Sequence, residues 1–534
     1  MDPCGRRQFL RAAAAGCAGV AAATLTGCAG ERRPRRAAPR AGATTTTEAL
    51  DPAAWAALAS SLTGRLVLPD DPAYATARLL YDPRFDDLRP AAVAYCASPA
   101  DVQRCVAFAT AHGVVPVPRC GGHSYAGYSG GPGLVIDVTP MHDVTVTPTP
   151  GAPAPARAQV GAGTLLVDLY AQLAQAGVLV PGGSCPSVGI AGLALGGGIG
   201  VLARRYGLTC DAVESLDIVT ADATLRTCDA ERDADLHWAC RGGGGGNFGV
   251  VTSFTFEAHP IPELALFTVD FPWGAAADVL GAWMAWQQAG PDELWSNCQL
   301  SAGGGGFALR SAGVLVGPAS ALDGLVDALV RSAGAAPTYR FVGPEQYLHA
   351  MLVEAGCAQL DVSQCHLSTH DPPGVLGRAA SVASSAYVSA PPGDGVQAFV
   401  AAVEDLGATY PSSGGGLVFD AYGGAVNRVR PADTAFVHRH AVCGIQATVA
   451  SGVAPSAVAG ARAWLGHVAT SCQAYVDGQA YQNYIDPTLA DWQRAYYGSN
   501  LERLVQVKAA VDPHDVFSFA QSVPVSLDAR GRGA

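Results

Sequence analysis

Lys508 is the single lysine in a chain of 534 residues. A Walker-A phosphate loop cannot be built without one elsewhere, and Lys508 is not set for Schiff-base catalysis. Charge is scarce altogether: Asp, Glu, Lys and Arg make up 15% of the residues, with a formal balance of −12. That balance argues against nucleic acid as a partner, because phosphate binding needs a basic face. The 15 cysteines include no CxxC pair and no Cys/His spacing suited to a metal, so no metal site is expected. A G-x-G-x-x-G fingerprint opens neither at Gly161 nor at Gly196, where the sixth positions are Leu166 and Val201. A Rossmann-type dinucleotide site is therefore not expected.

What is present suits a packed protein of more than one lobe: hydrophobic residues reach 49%, with 64 glycines and 36 prolines. Residues 1–27 read as an export signal. Arg6 and Arg7 precede Phe9-Leu10 and an Ala-rich run too weak to span a membrane, a pattern resembling the twin-arginine signal of proteins exported already folded. Leu25-Thr26-Gly27-Cys28 resembles a lipobox, which would attach the protein to a membrane through Cys28; plain cleavage and full secretion is the alternative. Residues 28–50 have the composition of a tether, and 526–534 form a tail.

Within the body, AVAYCAS, VVPVPRC and GLVIDV read as strands, and SPADVQRCVAFATAHG as a helix stopped by Gly113. VESLDIVTADATLRTCD reads as a hairpin turning at Ala221-Asp222-Ala223. Past Pro260, long helical patterns such as SALDGLVDALVRSAG alternate with short strands. The expected organisation is a first domain over 51–260, a second over 261–474, and a C-terminal return over 475–525. Cys357 and Cys365 are the most plausible local disulfide, with two free thiols as the alternative.

Three glycine clusters stand near strand ends, where amide groups can approach a pyrophosphate closely. PRCGGHSYAGYSGGPGLVIDV, GGSCPSVGIAGLALGGGIG and RGGGGGNFGVVTSF, followed by YQNYIDP, occur in the order and spacing of one family. Together they resemble the berberine-bridge-enzyme-like branch of the vanillyl-alcohol-oxidase flavoprotein superfamily, over about residues 70–525. The resemblance implies an α+β fold: a two-lobed PCMH-type FAD-binding domain plus a substrate domain whose antiparallel sheet is covered by helices. It also implies FAD attached twice, through the ring nitrogen of His123 to the flavin 8α carbon and through the sulfur of Cys185 to C6. Both side chains are competent nucleophiles for such bonds.

By the same resemblance Arg119, Gly121, Gly122, Ser124, Gly189, Gly192 and Gly196 would hold the pyrophosphate and ribityl chain. Gly246, Asn247 and Val251 would close the site, and Asn483 would contact the flavin. Of the tyrosines in YQNY, Tyr481 is preferred to Tyr484 as the base for an alcohol proton. Family members often carry an aromatic residue where this chain has Ile199, so the substrate is expected to differ. FVHRHAVCGIQ and Cys365-His366 are expected to be strands facing the cleft. The implied activity is oxidation of an alcohol or hemiacetal of a sugar or secondary metabolite, with O₂ yielding H₂O₂. A dehydrogenase with another acceptor, or a surface binding protein with an inactive flavin site, remains the alternative.

Overall fold

The structure, a computed structural model, describes residues 51–148, 156–304, 306–410 and 413–528. The export signal, lipobox, tether and tail expected from the sequence lie outside the described residues, except for 526–528.

The first sheet contains β1 (Arg65–Val67), β2 (Ala92–Tyr95), β3 (Pro116–Arg119) and β4 (Leu134–Asp137), in the order β1-β2-β4-β3. β2 and β3 run parallel to β4 and are joined by the helix Pro99–His112. That helix begins where the Ser98 hydroxyl accepts the Asp101 amide, and it stops at Gly113, whose φ of 64° favours glycine. Asp101, fully buried, accepts the amides of Thr63, Gly64 and Ala97, which ties the preceding segment to the helix start.

The second sheet contains β5 (Val144–Pro148), β6 (Ala156–Gly161), β7 (Val178–Leu179), β8 (Val213–Val219), β9 (Leu225–Asp229) and β10 (Val250–Pro260). Its order is β5-β6-β10-β8-β9, with β7 paired to β10. β8 and β9 form the hairpin expected from the sequence.

A third, seven-stranded antiparallel sheet contains β11 (Leu264–Phe271), β12 (Leu294–Gly303), β13 (Gly306–Val316), β14 (Tyr339–Glu345), β15 (Ser381–Val388), β16 (Gly415–Ala421) and β17 (Cys443–Ala450). The order is β14-β11-β13-β12-β16-β17-β15. Alternation decides its two faces. Cys443, Ile445, Ala447 and Val449 of β17 are buried and apolar, whereas Gly444, Gln446 and Thr448 between them are only half-buried. On β16 the apolar set is Leu417, Phe419 and Ala421, with Val418 and Asp420 on the other face. The helices Ala276–Ala289, Val396–Thr409 and Pro455–Ser471 cover the apolar face, and Trp283 donates to Ser296 of β12 at 2.9 Å. The opposite face is left to line a cleft against the first two sheets.

The C-terminal segment returns to the first lobe through the single lysine. Lys508, on the helix Leu501–Val511, is fully buried and donates to Asp512 at 2.6 Å, the Phe517 carbonyl at 2.7 Å and the Asn247 carbonyl at 2.9 Å. Asn247 Oδ1 in turn accepts the Val523 amide at 2.8 Å. Lys508→Ala strands the Asp512 carboxylate in the core, so a loss of about 3–5 kcal/mol is expected. A thermal melt checks this, and Asp512→Ala added to Lys508→Ala should cost less than the two single losses summed.

Candidate functional site: a glycine-walled cleft with two nucleophiles and a carboxylate

Three loops open onto one cleft of about 1690 Å³, whose other wall is the half-buried face of the seven-stranded sheet. The first loop, residues 120–128, leaves the end of β3. Its base is fixed by Arg119, which donates to Asp137 at 2.6 Å and to the Ala77 carbonyl at 2.7 Å. The Arg119 side chain therefore braces β3 against β4, with only Nη1 left without a protein partner. Ser124 Oγ accepts the Tyr128 amide at 3.1 Å and closes the loop on itself.

The glycines divide by what surrounds them. A side chain at Gly121 would collide with the Ser187 carbonyl, one at Gly189 with the Cys120 sulfur, and one at Gly196 with the Asn483 amide. These three are required by loop packing, so their lack of a side chain does not itself mark a ligand contact. Gly122, at a φ of 69°, is required by its turn. Gly192 is different: an added Cβ meets nothing within 4 Å, and one at Gly245 meets only the Gly192 Cα at 3.8 Å and the Leu195 side chain at 4.0 Å. Between them the cleft keeps a slot that side chains would fill.

The third loop contains residues 244–249, GGGNFG, which do match the G-x-G-x-x-G spacing that was not found at Gly161 or Gly196. Here the run leads into strand β10 and not into a helix, so it lacks the strand–turn–helix setting of a dinucleotide fingerprint. Asn247 spends its side-chain amide on the Gly243 carbonyl at 2.9 Å, and Val251 is buried on β10.

His123 and Cys185 come to the same wall from two different loops, and Ser187 stands beside both. The Ser187 hydroxyl lies 2.9 Å from His123 Nε2, and the Tyr81 ring stacks on the imidazole at 4.0 Å and 21°. Burial drives the His123 pKa down to about 3, so the ring is neutral at ordinary pH. Burial pushes the Cys185 thiol up to about 11, against the pull of hydrogen bonding from the Ser187 amide and hydroxyl and the Val188 amide.

Also lining the cleft, YQNY forms a short helical turn, Gln482–Tyr484. Tyr481, the tyrosine preferred from the sequence as base, and Tyr484 both line the cleft but in different surroundings. Tyr481 is 3% exposed, and its oxygen accepts the Gly198 amide at 2.8 Å and the Asn483 side-chain amide at 2.9 Å. Burial holds its pKa up at about 12. Tyr481 thus ties the turn to the glycine run 196–198 that follows the short helix Ile190–Leu195. Asn483 also donates to the Leu193 carbonyl at 3.0 Å, so both of its observed bonds are donations from Nδ2 to protein.

Tyr484 is half-buried and meets Tyr125 edge to face at 6.0 Å. Its pKa is pushed well above the usual tyrosine range by burial, then by the charge of Asp420.

Asp420 was not anticipated. It projects from β16 on the cleft side, and burial, with the charge of Glu354 added, raises its pKa to about 7; burial does the same for Glu354. Tyr125, whose hydroxyl accepts from Gln446 Nε2 at 2.8 Å, was likewise missed, although it stands two residues after His123 in the loop. Ile199 packs against the cluster containing Tyr481 and Phe436 and offers the cleft an aliphatic surface.

Of the two segments expected to be strands, FVHRHAVCGIQ is strand only over its last four residues, Cys443 to Gln446 in β17, and Cys365-His366 is not strand. Residues 436–442 form a loop ahead of β17, where Arg439 pairs with Asp211 at 2.7 Å and His438 stacks on Tyr387 at 4.4 Å. Cys365 and His366 follow the helical turn Val362–Gln364: Cys365 is disulfide-bonded to Cys357, and His366 lies 3.0 Å from Asp168. These histidines hold the fold together around the cleft.

The open space beside Gly192, the volume of the cleft and the two nucleophiles on its wall fit a flavin dinucleotide. The comparisons agree. Residues 90–229 match the model of the FAD binding domain, and residues 480–524 match the model described as berberine and berberine like. The fold and the cleft define an FAD-binding oxidoreductase of the two-lobed PCMH type.

The chain is 32% identical over 473 residues to the uncharacterized FAD-linked oxidoreductase YgaK of Bacillus subtilis (strain 168), covering 87% of this chain and 98% of that protein. The solved structure of Physcomitrella patens BBE-like 1 superposes with a TM-score of 0.79 at 32% identity, over 89% of this chain and 99% of that one. Glucooligosaccharide oxidase from Acremonium strictum, whose structure concerns the functional roles of a 6-S-cysteinyl, 8α-N1-histidyl FAD, gives 0.77 at 26% identity, over 88% and 98%. The chain belongs to the berberine-bridge-enzyme-like family of FAD-linked oxidoreductases.

Proposed function

We propose that this protein is an exported oxidase of carbohydrates, with FAD held through both His123 and Cys185 and with Asp420 as the base. The observation that carries this reading is the convergence of two half-buried nucleophiles, His123 and Cys185, on one wall of the cleft; Asp420, on the β16 face of the cleft-lining Val418, has a pKa near neutrality. Gly192, Gly245 and the amides of the first and third loops would accommodate the dinucleotide, with Gly122, Ser124, Asn247 and Val251 shaping those loops. When bound, FAD held by these residues would supply the hydride acceptor, with O₂ as the final oxidant and H₂O₂ as the product.

The protein's own part is positioning and proton removal. Gln299, Ser301, Gln446 and Thr448 line the sheet wall with neutral amides and hydroxyls, groups that suit a polyhydroxylated substrate. The likeness to glucooligosaccharide oxidase supports the same substrate class. Asp420, with a pKa near 7, can accept the substrate hydroxyl proton, and the Tyr484 phenol beside it orients that hydroxyl or relays the proton.

Addition of reducing sugars and short oligosaccharides to the aerobic enzyme should bleach the flavin and release peroxide in proportion. Bleaching without peroxide and with slow reoxidation would make this a dehydrogenase, and no bleaching by any carbohydrate would remove the substrate assignment.

The pH dependence follows from the carboxylates. Asp420 accepts a proton only when ionised, so kcat/KM should fall as the pH drops through about 7. Glu354→Gln removes the neighbouring negative charge that favours the protonated form of Asp420, so it should move this acid limb to lower pH. A pH profile of both proteins checks the direction.

Export by the twin-arginine route, with lipid attachment at Cys28, completes the proposal, because that route would carry protein already loaded with its cofactor. Replacing Arg6 and Arg7 by lysine should leave active enzyme inside the cell.

A further inference from the structure

Both attachment points share one neighbour. Ser187 is 3% exposed and has no role in the reaction proposed above. Its hydroxyl is 2.9 Å from His123 Nε2, its carbonyl also offers the imidazole an acceptor, and its amide and hydroxyl both stand as donors toward Cys185. The Tyr81 ring stacked on His123 keeps the imidazole from turning away. Gly121 lets the first loop close on the Ser187 carbonyl, so the contact is set by the backbones of both loops.

We propose that Ser187 is the positioning residue that prepares His123 and Cys185 together for flavin attachment. The inference rests on the twofold attachment set out under Proposed function. A proton held on Nε2 by Ser187 leaves Nδ1 with its lone pair free, which is the form of imidazole that can make a bond to carbon. The Ser187 hydroxyl then has its own proton to donate to the Cys185 sulfur, favouring the thiolate over the thiol in a site where burial alone would suppress it. One hydroxyl thus selects the reactive form of both side chains.

The covalent chemistry balances with O₂ as oxidant. On the histidine side an N–H and a flavin methyl C–H are replaced by a C–N bond; on the cysteine side an S–H and a ring C–H are replaced by a C–S bond. In each case two electrons and two protons leave with O₂ as H₂O₂.

The test is the intact mass of the denatured polypeptide, with peptide mapping to show which side chain carries the flavin. Wild type should carry FAD at both positions; a wild-type chain with no covalent flavin would overturn the twofold attachment itself, before Ser187 is in question. In Ser187→Ala, attachment of the bound flavin should be roughly 10- to 100-fold slower, the worth of a hydrogen bond to a charged group. Attachment at Cys185 should then recover as the pH is raised, because hydroxide supplies the thiolate that the serine no longer favours.

Ser187→Thr and Ser187→Val share a shape and differ in the hydroxyl, so they isolate it if the alanine variant does not accumulate. Threonine should restore attachment and valine should not. Wild-type rates in Ser187→Ala, or equal attachment in the threonine and valine variants, would overturn the role of Ser187 and leave the twofold attachment standing.

Discussion

Asp420→Asn is expected to lower kcat by about two to four orders of magnitude, the usual worth of a positioned general base, while flavin content stays that of wild type. The substitution keeps the shape and removes the ability to take a proton. Neither tyrosine replaces it: Tyr484 has a pKa far above the working range, and Tyr481 spends its oxygen on the Gly198 and Asn483 donors. Anaerobic bleaching of the flavin in rapid mixing isolates the step that should slow. Tyr484→Phe should lower the same rate, because the phenol feels the charge of Asp420 and lines the cleft beside Tyr125. Tyr481→Phe should act differently, lowering the melting temperature through a buried amide left unpaired, at about 1–3 kcal/mol. Equal losses of bleaching rate in the Tyr481 and Tyr484 variants would remove the distinction between them.

The second large effect concerns retention of the cofactor. His123→Ala combined with Cys185→Ala should release all yellow colour into the supernatant on acid precipitation, whereas each single variant keeps its colour with the protein. The remaining contacts are reversible ones from glycine-loop amides, and denaturation abolishes them. The double variant should also oxidise substrate more slowly. Two electron-withdrawing bonds favour reduction of the ring, and each 1.4 kcal/mol of lost transition-state stabilisation is worth roughly tenfold in rate. Acid-stable colour in the double variant would place the attachment on another residue.

The parts of the site that were legible in the sequence are those that a short loop can encode. His123 and Cys185 each stand in their own glycine cluster, and the reason for the glycines is local: two loops pass so closely that Gly121 and Gly189 have no room for side chains. The helix from Pro99 and the hairpin of β8 and β9 were legible for the same reason, since Ser98, Gly113 and the Ala221–Ala223 turn act on their immediate neighbours.

Asp420 was not, because GLVFDA shows only the alternation of any half-covered strand. Its importance comes from Tyr484 and Glu354, which are remote in sequence. The different surroundings of the two tyrosines were hidden likewise, because they depend on where Gly198 and Asn483 point. The segment 436–446 is expected as a strand from the family resemblance; its first seven residues form a loop, where Arg439 pairs with Asp211, and only Cys443 to Gln446 join β17. Asn247 and Arg119 were legible as important, yet their side chains serve the framework through Val523 and Asp137.

The most direct test of the central claim is the mass and visible spectrum of the wild-type protein after denaturation, followed by proteolysis. The expected result is one polypeptide heavier by a single FAD, still yellow, whose flavin joins the peptide containing His123 to the peptide containing Cys185. A colourless chain with the mass of its amino acids alone would contradict it.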